Sequence, residues 1–157
     1  MPITPTNTRA IRVAVAKAIV GIVPKIVHEQ ARLWSYAQDQ APSGFRVFTL
    51  AFDPTTHEWD VGMRGGHVAS LGLPCSVTMR VLAGYHGLSR TDAEDLICSD
   101  HMDLFLTLHP RTDSGAGVVD IDGVEQFLAD GPPEAENNEQ GHMIVAFPFA
   151  LHYLREI

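Results

Sequence analysis

The stretch MIVAFPFALHYL, Met143 to Leu154, constrains the fold more than any other part of the chain. Met143, Val145, Phe147, Phe149, Leu151 and Tyr153 alternate, while Ile144, Ala146, Ala150 and Leu154 occupy positions between them. Successive side chains of a strand point to opposite faces, so this strand is apolar on both and belongs inside a sheet. Pro148 interrupts it, because proline lacks a ladder N–H, and implies a bulge or an unpaired position there.

The rest of the chain supplies partners for such a strand. Ile11, Val15, Ala18, Ile19 and Ile22 recur at helical spacing from Thr8 to about Val23, with Asn7 or Thr8 as N-cap and Gly21 and Pro24 at the end. Lys25 to His28 reads as a short strand, and Glu29 to Gln40 is left open between helix and polar connection. Phe45 to Phe52 predicts a strand ended by the turn pair Asp53-Pro54, with Glu58 to Met63 returning as a hairpin partner. Arg64 to Pro74, rich in glycine, predicts a surface loop. Cys75, Val77, Met79 and Val81 alternate with polar residues up to Leu82, the pattern of a strand with one buried face. Val118 to Ile121 predicts a strand ending at the turn Asp122-Gly123. Ala129 to Gly141 carries two prolines, two glycines and acids without a basic residue, and predicts a solvated loop.

A second helix is expected from Ser89 to His109, where Pro110 stops it. Ser89 and Asp92 form an N-cap with an acidic third residue. Ala93, Leu96, Ile97, Leu104, Phe105 and Leu108 make its apolar stripe, with Cys98 close to it and Asp92, Asp95, Ser99, Asp103 and Thr107 at other angles. This helix holds the densest cluster of reactive side chains, Asp100, His101, Asp103 and His109. Asp100 and His101 diverge by about 100° around the axis, and His109 lies about 12 Å along the axis from His101, so no single metal ion fits this helix alone. Asp100 and Asp103 are therefore expected as surface carboxylates, with His101 at the boundary facing Phe105 and Leu108.

The element order, without regular βαβ repetition, predicts an α+β fold: a single antiparallel or mixed β-sheet packed by an N-terminal helix and a second helix over about 90–109, with long loops. The 157 residues fit one domain, 1–157. No apolar run is long enough to span a bilayer and no signal-peptide pattern opens the chain. Cys75 and Cys98 form no metal or disulfide pattern, which makes a reducing compartment the default. A net charge of −8 opposes tight binding of nucleic acid. The eight histidines are dispersed, the HExxH pattern is absent, and Gly62 to His67 lacks the spacing of a phosphate loop. Catalysis therefore has no anchor, and no cofactor and no metal are expected. The competing reading is a ligand or metal site assembled by folding from His28, His86, Asp100 and His101.

The order of elements resembles that of the tail terminator (tail completion) proteins of long-tailed bacteriophages. The local likenesses are Ile26 to Arg32 after the first helix, Val77 to Tyr85 leading into Ser89 to Asp92, and the closing Val145 to Glu156. A basic and aromatic stretch associated with the family is represented only by Trp59 and Arg64. The resemblance implies a non-enzymatic virion protein: a ring, hexameric in the family, at the head-proximal end of the tail tube. It implies as partners other copies of the chain, the tube protein and a head-tail connector, with DNA passing through the lumen without specific binding and no membrane. Another neck or tail-completion role is the alternative. The flexible polar segments suggest ring contacts at Arg64, His67, Asp130, Glu134, Glu136 and Glu139.

Overall fold

The computed structural model describes residues 6–22, 34–37, 46–59, 73–108, 123–137 and 143–155. Its elements are α1 (Thr8–Val20), β1 (Ser35–Tyr36), β2 (Val47–Trp59), β3 (Leu73–Tyr85), α2 (Arg90–Leu108), β4 (Val124–Ala129), β5 (Glu134–Asn137) and β6 (Met143–Arg155). The strands form one six-stranded sheet in the order β1-β2-β3-β6-β4, with β5 also paired to β6. β1 runs parallel to β2 and every other pair is antiparallel, so the sheet is mixed and the class is α+β.

The C-terminal strand takes the interior place that its two apolar faces require. β6 pairs with β3 without a break from Leu73↔Arg155 to Tyr85↔Met143, and carries β4 and β5 in succession on its other edge. Pro148 makes no bulge in the β3 ladder, where it stands opposite Arg80. Its carbonyl instead accepts from the N–H of Asp130 on the other edge, between the end of β4 and the start of β5. The missing N–H thus falls where the partner chain has turned away, which is the unpaired position that proline needs.

Two expectations about the strands are corrected. Asp53-Pro54 does not end a strand that then folds back as a hairpin; β2 continues through it, and both halves pair with β3. Between the pairs Asp53↔Thr78 and Glu58↔Ser76, β2 advances five positions against two on β3. The turn chemistry is present inside this bulge. Asp53 Oδ1 accepts from Thr55 N–H (3.0 Å) and Thr55 Oγ1 (2.6 Å), and Thr56 Oγ1 accepts the Thr78 N–H at 2.9 Å in place of a ladder carbonyl. Ala129 to Gly141 is likewise not a continuous solvated loop, because Glu134–Asn137 adds a strand along the free edge of β6. Its acidic composition suits an exposed sheet edge, which charge protects from pairing with another chain.

Other expectations shift at their boundaries. Asn7 caps α1 by accepting from the Ala10 N–H at 2.9 Å, and Gly21 closes it with ordinary right-handed angles. Ser89 Oγ accepts from the Asp92 N–H at 3.2 Å and starts α2. Within Glu29 to Gln40, the described part is extended: Ser35 and Tyr36 form β1. The Cys75 to Leu82 strand extends to Leu73–Tyr85, taking in two residues of the expected loop. A turn at Gly123 (φ 81°) precedes β4. The expected strands at Lys25 to His28 and Val118 to Ile121 lie outside the described residues.

Both helices pack on one face of the sheet. Ile11, Val15 and Ile19 of α1 and Leu96, Leu104 and Leu108 of α2 meet Phe48, Leu50, Met79, Val81, Phe147, Phe149 and Leu151, all at most 4% exposed or fully buried. Hydrophobic burial at this seam is the main stabilising term, and Phe147 (0% exposed) lies at its centre, with its ring stacked on His101 at 5.8 Å. Phe147→Ala should lower the unfolding free energy by about 3–5 kcal/mol in urea denaturation. Val13→Ser, on the exposed side of α1, should change it by less than about 0.5 kcal/mol.

Candidate functional site

The expectation of surface carboxylates on α2 is overturned. Asp100 is 1% exposed and Asp103 5%. Their positions explain it: the buried residues Ala93, Leu96, Asp100, Leu104 and Leu108 follow at steps of three and four around the helix, and Asp103 lies three after Asp100 on the same side. The step from the Leu96–Ile97 pair to Leu104 leaves a gap of two turns on the apolar face, and Asp100 fills it.

What compensates this burial comes from a distant part of the chain. Arg46, 0% exposed, immediately precedes β2 and donates from Nη2 to Asp100 Oδ1 at 2.6 Å. Tyr85, the last residue of β3, donates from its hydroxyl to the other carboxylate oxygen at 2.5 Å. The Arg46 guanidinium lies 4.4 Å over the Trp34 ring, which meets Phe48 edge to face at 5.7 Å. The Arg46 backbone is as constrained as its side chain. Its φ is 56°, an uncommon value for a residue with a Cβ. Its N–H donates to Gly84 O at 2.9 Å and its carbonyl accepts from Ser35 N–H at 3.0 Å. One residue thus ties β1, β3 and α2 together at the start of β2.

The centre is electrostatically tense. Burial pushes the Asp100 carboxyl up to about 6, against the opposing pull of Arg46 and the Tyr85 hydroxyl, and the negative charge of Asp103 adds to the rise. Burial, and the adjacent Asp100, push the Tyr85 hydroxyl well above its ordinary value, so it stays a donor. On the Arg46 guanidinium only Nη2 is hydrogen-bonded, with Nε and Nη1 buried and bonded to no acceptor among the described residues. A buried pair of this kind restrains geometry more surely than it adds stability.

The other expected site residues do not converge on this centre. Asp130 is exposed, Glu134 is exposed on β5, and Glu136 stands opposite Ile144 in the same strand. Arg64, His67, Glu139, His28 and His109 lie outside the described residues. His86 is exposed beyond the end of β3, and His101 sits at the helix boundary as expected, but against Phe147 of the sheet. Among the described residues no three of His, Cys, Asp and Glu are grouped to hold a metal ion. Cys98, expected near the apolar stripe, is exposed, and Cys75 is buried.

The opposite face of the sheet forms the second notable surface. Thr49, Ala51 and Asp53 of β2, Thr78, Arg80 and Leu82 of β3, and Ala146, Ala150 and His152 of β6 share it by register; Thr49 and Ala146 are buried, and Leu128 of β4 is exposed at one side. No helix among the described residues packs there.

Because the folded carboxyl of Asp100 is raised above its unfolded value of about 3.9, its contribution to stability is fullest below about pH 4 and is lost as pH rises through about 6. Asp100→Asn should flatten that decline. Arg46→Leu, which strands the carboxylate, should cost about 3–5 kcal/mol at pH 7 and less at pH 5, where the carboxyl takes up a proton. Urea denaturation of the three proteins at pH 5 and 7 measures both effects. The chain matches no protein-family model and no curated protein.

Proposed function

We propose that this protein is a structural component of a phage virion, a tail terminator whose copies form a ring at the head-proximal end of the tail tube, stopping its growth and presenting the surface for head-tail joining. The observation that carries the reading is the half-exposed face of the sheet away from the described helices. By register it carries the half-exposed small or apolar residues Ala51, Leu82 and Ala150 beside Asp53, Thr78, Arg80 and His152, while Thr49 (9% exposed) and Ala146 (1%) are buried, and such a mixed surface suits a patterned contact with a second copy. The sequence likeness in element order supports the same reading. Both described helices are committed to the opposite face, and Ala51, Leu82 and Ala150 are half-exposed on this one.

The acidic edge strand β5 borders this face, with Glu134 and Glu136 opposite Ala146 and Ile144. In the ring, these two positions restrict which neighbour can approach that edge, and the net charge of −8 keeps DNA from adhering as it passes. Tube protein and connector are the remaining partners. A catalytic role finds less support, since Asp100 is engaged on both oxygens by Arg46 and Tyr85.

Light scattering across a concentration series, with electron microscopy of the same samples, tests the proposal. A closed ring, free or seated on isolated tail tubes, is the expected result, and Ala150→Arg should abolish it while leaving the thermal transition within a few degrees of the original. A monomer that neither self-associates nor binds tubes refutes the reading.

A further inference from the structure

A recess of about 360 Å³ opens where the β2 bulge, the end of β6 and the start of α1 meet. Its size is at the lower end of the roughly 300–1,000 Å³ typical of small-molecule sites. One wall is apolar, made by Phe52, Pro54 and Val77. The other carries Thr8, His57, Tyr153 and Arg155. His57 Nε2 and the Tyr153 hydroxyl are 2.7 Å apart, and Tyr153 is 1% exposed, so this polar pair is held in place before any ligand arrives. Cys75 stands beside Tyr153 across the β3–β6 ladder.

In a chain of net charge −8, the described residues lining this recess include a guanidinium and no carboxylate. The nearby acids of β2 are turned away. Asp53 and Glu58 stand in register with Thr78 and Ser76 on the opposite face, and the Asp53 carboxylate is engaged by Thr55 and Arg80. A second guanidinium reinforces the positive potential from behind the apolar wall: Arg12 lies 4.9 Å over the Phe52 ring and is fixed there by donating to Leu50 O at 2.7 Å. The rim also holds the first residue of α1, whose first turn carries no acidic side chain.

We infer that this recess binds an apolar carboxylate, with Arg155 and the His57–Tyr153 pair on the carboxylate and Phe52, Pro54 and Val77 against the hydrocarbon body. A planar guanidinium matches a carboxylate with two parallel hydrogen bonds, and an apolar wall beside it selects an acid with an aromatic or branched body. The same chemistry is offered by a free carboxylic acid and by the C-terminal residue of a peptide. The site does not depend on ring formation.

Calorimetric titration of the purified protein with 3-phenylpropionate, with 3-phenylpropionamide and with acetyl-Gly-Phe bearing a free C-terminus tests the assignment. At least one acid should bind saturably and roughly tenfold tighter than the amide. Arg155→Gln, at an exposed position, should remove that advantage, and His57→Gln should reduce it, with thermal transitions confirming that both variants fold. Tighter binding of the peptide identifies a chain terminus as the ligand, and tighter binding of phenylpropionate identifies a free acid; either supports the site. No saturable binding at millimolar concentration, equal binding of acid and amide, or undiminished binding to Arg155→Gln overturns it.

Discussion

β6 is bonded along both edges, and this dependence on the last strand shapes the whole molecule. β3 pairs with it over its full length, β4 and β5 share its other edge, and Thr6, before the first helix, donates to Leu154 O at 2.7 Å. Few contacts of the sheet are local, since the two long central partners are separated in sequence by α2, β4 and β5. A chain of this topology must close long loops before its apolar faces are rewarded, which is the property of slow, cooperative folding.

The Arg46–Asp100 pair solves a different problem. A sheet and a helical layer held only by hydrophobic contact can slide, because burial of apolar area has little directional preference. A hydrogen bond of 2.6 Å between fully enclosed charges allows one relative position, and the Tyr85 hydroxyl on the second carboxylate oxygen restrains it again. The cost is visible in the Asp100 carboxyl, raised to about 6 even with a guanidinium beside it. Specific placement of α2 and stability at neutral pH therefore pull in opposite directions at one residue.

The two surfaces left over are of opposite character. The half-exposed sheet face mixes small side chains with the Asp53–Arg80 pair, whereas the recess at the β2 bulge is compact and lined by a guanidinium. Both depend on local irregularities. The bulge after Asp53 brings His57 within hydrogen-bonding distance of Tyr153, and the break between β4 and β5 accommodates Pro148.

Much of the fold was legible along the chain. Period-two alternation marked β3 and β6, helical spacing with Asn7 and Ser89 as caps marked both helices, and the apolar content of both β6 faces marked its interior place, because each of these signals comes from neighbours in sequence. The continuation of β2 past Asp53-Pro54 and the β5 edge were not legible, since a turn signal and an acidic segment carry no information about which distant strand is long enough to pair with them. The candidate sites were hidden for the same reason. The gap between Ile97 and Leu104 on the α2 stripe pointed to Asp100, but whether a carboxylate at that place turns outward or inward depends on a cation 54 residues away. Sequence alone determined the α+β class, the helices and the central strand through local periodicity. Only the tertiary structure decided which polar groups are buried together, because pairing a charge across the core is a property of the packed chain and not of any segment within it.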